Sequence, residues 1–155
     1  MCAETIRLAG IMDDSLVDGP GVRITVFVQG CHKHCPGCQN PQTWDYSGGY
    51  ERTVEELIAY AEETAIEKKI TVSGGEPFDQ PQAVGALLAT LHGRGWHTMV
   101  YTGYTLETLP EEGRKLILPY ADILVDGPFI EEQKSLDLLW RGSANQRILH
   151  RGKDY

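Results

Sequence analysis

The sequence predicts an α/β fold, a partial and open β/α barrel with mostly parallel strands. Three observations lead there. Short runs rich in β-branched residues alternate with segments of helical periodicity, the pattern of strands joined by crossover helices. Only four such units are present, too few to close an eight-unit barrel. Finally, each strand is followed by a cluster of unusual residues, so all four clusters fall at the carboxyl ends of the strands, the edge where such sheets hold ligands.

The elements follow in chain order. Val22-Arg-Ile-Thr-Val-Phe-Val28 is β-branched and aromatic and reads as a strand. From Thr53 to Lys69, apolar Val54, Leu57, Ile58, Ala61 and Ala65 recur at helical spacing. Thr53 caps that helix and Glu56 completes a capping box. Ile70–Val72 reads as a short second strand. Gln82 to His92 carries Val84, Leu87, Leu88 and Leu91 on one face and stops at Gly93 and Gly95. His97–Tyr101 is a third strand, and Thr105 to Leu118 is a helix broken at Pro110 and Gly113. Ala121–Val125 is the fourth strand. Residues 1–155 read as one domain, with 127–155 an irregular tail on or beside the active edge; periodicity returns only at Arg147–His150.

Composition narrows the function classes. A chain of 155 residues can bury a real core in a single domain. No apolar run approaches a membrane span. The formal net charge of -8 disfavours a nucleic-acid backbone as partner. The N-terminus carries Glu4, Arg7 and Asp13 among its apolar residues, unlike a secretory signal, so a reducing, cytoplasmic compartment is expected.

The cluster after the first strand is Cys31-His-Lys-His-Cys35-Pro-Gly-Cys38. Three thiols within eight residues leave one over from any disulfide. They can instead hold a metal centre with one open coordination position, whereas structural zinc and iron–sulfur sites normally close with four protein ligands. A zinc site completed by His32 or His34 is the competing reading, and it makes the chain a non-catalytic binding module. Cys2, at the chain terminus, is a poor fixed ligand. After the second strand comes Ser73-Gly-Gly-Glu-Pro77. Its paired glycines permit unusual backbone angles and close approach, and Glu76 with the neighbouring carbonyls offers acceptors suited to an ammonium group. An ordinary strand-to-helix turn is the alternative. Thr102-Gly-Tyr104 and Asp126-Gly-Pro128 follow the third and fourth strands.

Cys-x3-Cys-x2-Cys after the first strand and Gly-Gly-Glu-Pro after the second resemble the radical S-adenosylmethionine superfamily. The nearer resemblance is to the activating proteins of anaerobic ribonucleoside-triphosphate reductase. It rests on Val17-Asp-Gly-Pro-Gly-Val-Arg23, Gly30 to Trp44, Val72 to Pro77, Tyr101-Thr-Gly-Tyr104, Leu124 to Phe129 and Trp140-Arg-Gly-Ser-Ala-Asn-Gln146, and so runs from about residue 15 to 148. The resemblance implies a radical S-adenosylmethionine-type open barrel in which Cys31, Cys35 and Cys38 bind three irons of a 4Fe–4S cluster. The fourth iron then chelates the amino and carboxylate groups of S-adenosylmethionine, and Gly74, Gly75 and Glu76 hold its ammonium. It further implies reductive cleavage to a 5′-deoxyadenosyl radical, which generates a glycyl radical on the large subunit of the reductase.

Where an aromatic residue commonly precedes the third cysteine, this chain has Gly37, so backbone at Gly37, Cys38 and Gln39 is expected to meet the adenine. Thr102 and Asp126 are weaker candidates for cofactor binding; in related activases a monovalent cation sits near this place. Asp126 is alternatively the cap of its turn. His32, His34 and Lys33 read as loop residues. Asp18-Gly-Pro-Gly21 is either an activase segment or a tight turn feeding the strand, and Trp140 and Arg141 either anchor a partner or pack on the sheet. A low-potential flavodoxin or ferredoxin is the expected electron donor, and neither nucleic acid nor membrane is an expected partner. An activase for a different glycyl-radical enzyme is the second reading.

Overall fold

The computed structural model describes residues 4–30, 45, 48–135 and 140–155. Cys2, the cysteine loop with Cys31, Cys35, Gly37, Cys38 and Gln39, and Leu136 to Leu139 lie outside the described residues. The frame is one seven-stranded sheet in the order β3-β1-β2-β4-β5-β6-β7. Its centre is parallel: β2 (Arg23–Val28), β4 (Lys69–Gly74), β5 (His97–Tyr101) and β6 (Ile123–Asp126) run the same way. Antiparallel strands flank it, β1 (Thr5–Ser15) and β3 (Tyr50–Thr53) on one side and β7 (Arg147–His150) on the other. The two outer strands, β3 and β7, do not pair with each other. The open α/β barrel with a parallel centre is thus the observed architecture.

Alternation along the parallel strands divides the core in two. Ile24, Val26, Val28, Ile70, Val72, Val100 and Leu124 point to the face covered by α1 (Val54–Thr64), α2 (Pro81–Gly93) and α3 (Glu111–Leu116). There they meet Leu57, Ala61, Val84, Leu87, Leu88 and Leu91 in the main core. Met99, Ile123 and Val125 point the other way and pack with Tyr101, Trp140 and Ile148. Trp140 therefore packs on the sheet, and it does so with a left-handed backbone, φ 56°.

Local chemistry explains most boundaries. Thr53 caps α1 as its sequence requires: its hydroxyl accepts from Glu56 N–H at 3.0 Å, and Glu56 accepts from Thr53 N–H at 3.1 Å. The helix ends at Thr64, short of Lys69, because Ala65 turns extended (φ -65°, ψ 132°) and Lys69 is already in the β4 ladder. The expected helix 105–118 is a 3-10 turn at Leu106–Thr108, the short α3, and a second 3-10 turn at Leu118–Tyr120. Pro110 and Pro119 stand at the joints, where a missing N–H and fixed φ end helices.

Two strands escaped the sequence reading. β1 buries Ile6 and Leu8 in alternation, but register shifts between Leu8 and Gly10 and between Met12 and Ser15 break its period. β3 has no buried residue, so it carries no apolar pattern. The segment Arg147–His150 forms β7 on β6.

The sheet's amino edge is closed by Arg23, which is fully buried. Its guanidinium donates to Thr71 Oγ1 at 2.7 Å and to the carbonyls of Pro20, Ile70 and His97 at 2.9, 2.9 and 3.2 Å. Burial pushes its pKa down to about 10, so it keeps its charge at neutral pH. The Asp18–Gly21 turn lies over this network, with the Asp18 carbonyl accepting from Thr71 Oγ1 at 2.7 Å.

Gly85 lets α2 and α3 approach closely: a Cβ there would stand 2.5 Å from the Leu116 carbonyl oxygen. Alanine favours a helix interior by about 1 kcal/mol over glycine, whereas overpacking costs about 1–3 kcal/mol. Gly85→Ala is therefore expected to lower the urea midpoint despite its better helix propensity. A raised midpoint would show that the two helices yield easily.

Candidate active site

The clusters after β4, β5 and β6 lie at the carboxyl edge, where β2 also ends, because the four strands are parallel and in register; the cysteine cluster lies outside the described residues. A tight junction lies between β2 and β4. Val28 pairs with Gly74, and the ladder continues past the strand ends: Gly75 N–H donates to the Val28 carbonyl at 2.7 Å and Glu76 N–H to the Gly30 carbonyl at 2.8 Å. Gly74 has φ +93°, and a Cβ on it would lie 2.6 Å from Val28 N. On Gly75 a Cβ would lie 2.2 Å from the Gly30 oxygen. Only glycine fits at both positions. The backbone these glycines admit is that of the end of β2 and of Gly30, which precedes Cys31 in the sequence.

The other stem of the cysteine loop is tied to the same place. Gln29, itself buried, donates through Nε2 to the Asp45 carbonyl at 2.6 Å. Arg7 Nε donates to the Gly48 carbonyl at 2.7 Å. Gln80 ties the first stem to β1: its amide donates to the Arg7 carbonyl at 3.0 Å and the Gln29 carbonyl at 3.2 Å, and its oxygen accepts from Arg7 N–H at 2.8 Å. The sequence reading missed Gln29, Arg7 and Gln80; no motif marks them, and only the pairing of β1 with β2 brings Arg7 here.

Glu76 is buried, with 1 % exposure. Its carboxylate accepts from Gly103 N–H at 2.7 Å, Thr102 Oγ1 at 2.8 Å and Phe78 N–H at 3.2 Å. It thereby fastens the end of β4 to the end of β5. Burial pushes its pKa up to about 7, against the pull of the bonds from Gly103, Thr102 and Phe78. Thr102 is buried too, and its hydroxyl accepts from Tyr104 N–H at 3.1 Å. Tyr101 donates its hydroxyl to the Trp140 carbonyl at 2.6 Å, and burial raises its pKa so that the proton stays. The structure thus brings Gly74, Gly75, Glu76 and Thr102 together beside the stem of the cysteine loop.

Asp126 ends β6 on the same edge but turns to other partners, Leu106 N–H at 2.7 Å and the Arg147 guanidinium. Beyond it, the tail is stapled to the Gly127–Phe129 turn. Asn145 Nδ2 donates to the Pro128 carbonyl at 2.7 Å and Gln146 Nε2 to the Gly127 carbonyl at 3.0 Å.

A pH dependence follows from Glu76. Its folded pKa lies above its unfolded value, so its neutral form favours folding. That stability is fully present below about pH 4.5 and is lost as pH rises through about 7. Comparing urea unfolding of wild type and Glu76→Gln from pH 4.5 to 7.5 isolates this contribution. The wild type is expected to lose stability relative to the variant across that window. A constant difference would mean that the three donors fully offset the burial.

Comparison with known proteins places this geometry. A family model described as a 4Fe-4S single cluster domain matches residues 17–149. The anaerobic ribonucleoside-triphosphate reductase-activating protein of Vibrio cholerae is 41 % identical over 145 residues, covering 88 % of this chain and 92 % of that one. The protein of that name from Haemophilus influenzae is 40 % identical over 147 residues, with 89 % and 93 % covered. That from Enterobacteria phage T4 is 32 % identical over 139 residues, with 85 % and 86 % covered. Among solved structures, QueE from Escherichia coli aligns with a TM-score of 0.55 at 17 % identity, over 65 % of this chain and about half (53 %) of that one; the likeness is one of fold. On the family match and these relatives, the chain belongs to the anaerobic ribonucleoside-triphosphate reductase-activating proteins, built on a 4Fe–4S single-cluster domain.

Proposed function

We propose that this protein is a radical S-adenosylmethionine activase whose target is the large subunit of the anaerobic ribonucleoside-triphosphate reductase. One observation carries the reading: Gly75 and Glu76 donate to Val28 and Gly30, which joins the Gly-Gly-Glu turn to the stem of a three-cysteine loop. The donor set fits a 4Fe–4S cluster with one open iron, since three thiolates suit iron–sulfur ligation and leave a position for a ligand. When bound and reduced, the cluster supplies one electron that cleaves S-adenosylmethionine to methionine and a 5′-deoxyadenosyl radical, which takes a hydrogen atom from a backbone glycine of the reductase.

The chain's own residues divide the remaining work. Cys31, Cys35 and Cys38 are the cluster ligands. Gly74, Gly75 and Glu76 present acceptors to the methionine ammonium, with backbone at Gly37 to Gln39 against the adenine. Glu76 has two further duties that its hydrogen bonds support: it orders Gly103 and it fixes Thr102. Arg7, Gln29 and Gln80 position the loop stems. The whole chain works as one radical S-adenosylmethionine unit, with the tail beside the active edge.

A low-potential flavodoxin or ferredoxin is the proposed electron donor, and the cytoplasm, where thiols stay reduced, the proposed compartment. The formal charge of -8 supports a protein rather than a nucleic-acid partner. Among the described residues no helix is long and apolar enough to cross a membrane.

Anaerobic reconstitution with iron and sulfide, followed by reduction, tests the reading. A 4Fe–4S electron paramagnetic resonance signal that changes on adding S-adenosylmethionine, with 5′-deoxyadenosine formed, is expected. Alanine at Cys31, Cys35 or Cys38 is expected to abolish the signal. Gly75→Ala, which drives a Cβ into the Gly30 carbonyl, is expected to lower iron content and cofactor cleavage together. Tight zinc uptake with no cluster would instead make the cysteines structural.

A further inference from the structure

The Asp126 carboxylate is held in a way that bears on which cations this edge needs. Its side chain is 1 % exposed. Three donors reach it: Arg147 Nε to Oδ1 at 3.0 Å, Arg147 Nη2 to Oδ2 at 2.5 Å, and Leu106 N–H to Oδ2 at 2.7 Å. A carboxylate offers about four acceptor positions, so the chain itself fills most of them. The guanidinium is also fixed in place. Arg147 is the register partner of Asp126 across the β6–β7 ladder, and its outer side is held by Glu107 at 2.9 Å. A two-point fork of this kind is stronger and more directional than contact with a point charge. A metal ion set against the remaining position would face a full positive charge a few ångströms away. The donor set at Asp126 does not fit a monovalent metal ion.

We propose that Arg147 is the resident countercharge of the carboxyl edge: its guanidinium stands at Asp126 where a monovalent cation would otherwise be needed. Arg147 is then a positioning residue. It ties the end of β6 to β7 and, through Asp126 and Glu107, to the Leu106–Thr108 turn that follows β5. The consequence is cofactor binding that is indifferent to potassium and sodium. The proposal rests on the activase reading for its probe, S-adenosylmethionine; the cation dependence of unfolding needs no such reading.

The test uses anaerobically reconstituted wild type, Arg147→Gln and Arg147→Lys in potassium, sodium or choline chloride at one ionic strength, since the outer Glu107 contact is screened by salt. S-adenosylmethionine affinity is measured by calorimetry and thermal midpoints by circular dichroism. Wild-type affinities are expected to agree within about twofold across the three salts, and Arg147→Gln to bind about tenfold more weakly in choline and to recover in potassium or sodium. Arg147→Lys keeps a charge on the chain and is expected to stay cation-independent. Wild type that binds or melts differently in potassium or sodium than in choline would overturn the proposal, and this arm decides even if Arg147→Gln does not fold. So would an Arg147→Gln variant equal to wild type in all three salts. Wild type that melts identically in the three salts yet binds no S-adenosylmethionine would leave the countercharge standing and sink the activase reading instead.

Discussion

The contact on which the site depends is the approach of two backbones, Val28–Gly30 against Gly74–Gly75. Two glycines leave the space that a Cβ would fill, and two hydrogen bonds of 2.7 and 2.8 Å use it. The end of β2, as far as Gly30, is therefore held directly against the turn after β4. Neither partner can drift without breaking backbone hydrogen bonds in a site where buried polar groups must be paired. From this junction Glu76 carries the order sideways, to Thr102 and Gly103 at the end of β5. Asp126 and Arg147 carry it on to β7.

The two edges of the sheet are built differently. At the amino edge a fully buried arginine spends its donors on carbonyls and Thr71, a closed structural knot. At the carboxyl edge the polar groups hold turns in place beside Gly30. On the face away from the helices, Trp140 covers Met99, Ile123 and Val125 while Tyr101 pins its carbonyl. The tail thus gives the sheet a second packed face as well as an added strand.

Much of this was legible because it is local. The Thr53–Glu56 capping box, the apolar stripe of α2 and the β-branched runs of the parallel strands each carry their signal within a few residues. The alignment of the clusters after β4, β5 and β6 followed from the strand order of an α/β unit. β1 and β3 were not legible, since bulges interrupt one and the other buries nothing. The partners of Asp126 and Glu76 were hidden for another reason. Apart from Phe78, which is two residues from Glu76, each lies at least 20 residues away in sequence, on strands or turns whose register the sequence does not state. The Gly-Gly pair was correctly singled out as a place of close approach, but what approaches in the structure is the chain's own β2.

The most direct measurement adds the reductase. The reconstituted, reduced protein is incubated with S-adenosylmethionine and the large subunit of the anaerobic ribonucleoside-triphosphate reductase, and the mixture is examined by electron paramagnetic resonance. An organic radical is expected on the reductase, with a splitting that collapses when its glycines are deuterated at Cα. Cleavage of S-adenosylmethionine with no radical on the reductase would contradict the activase reading.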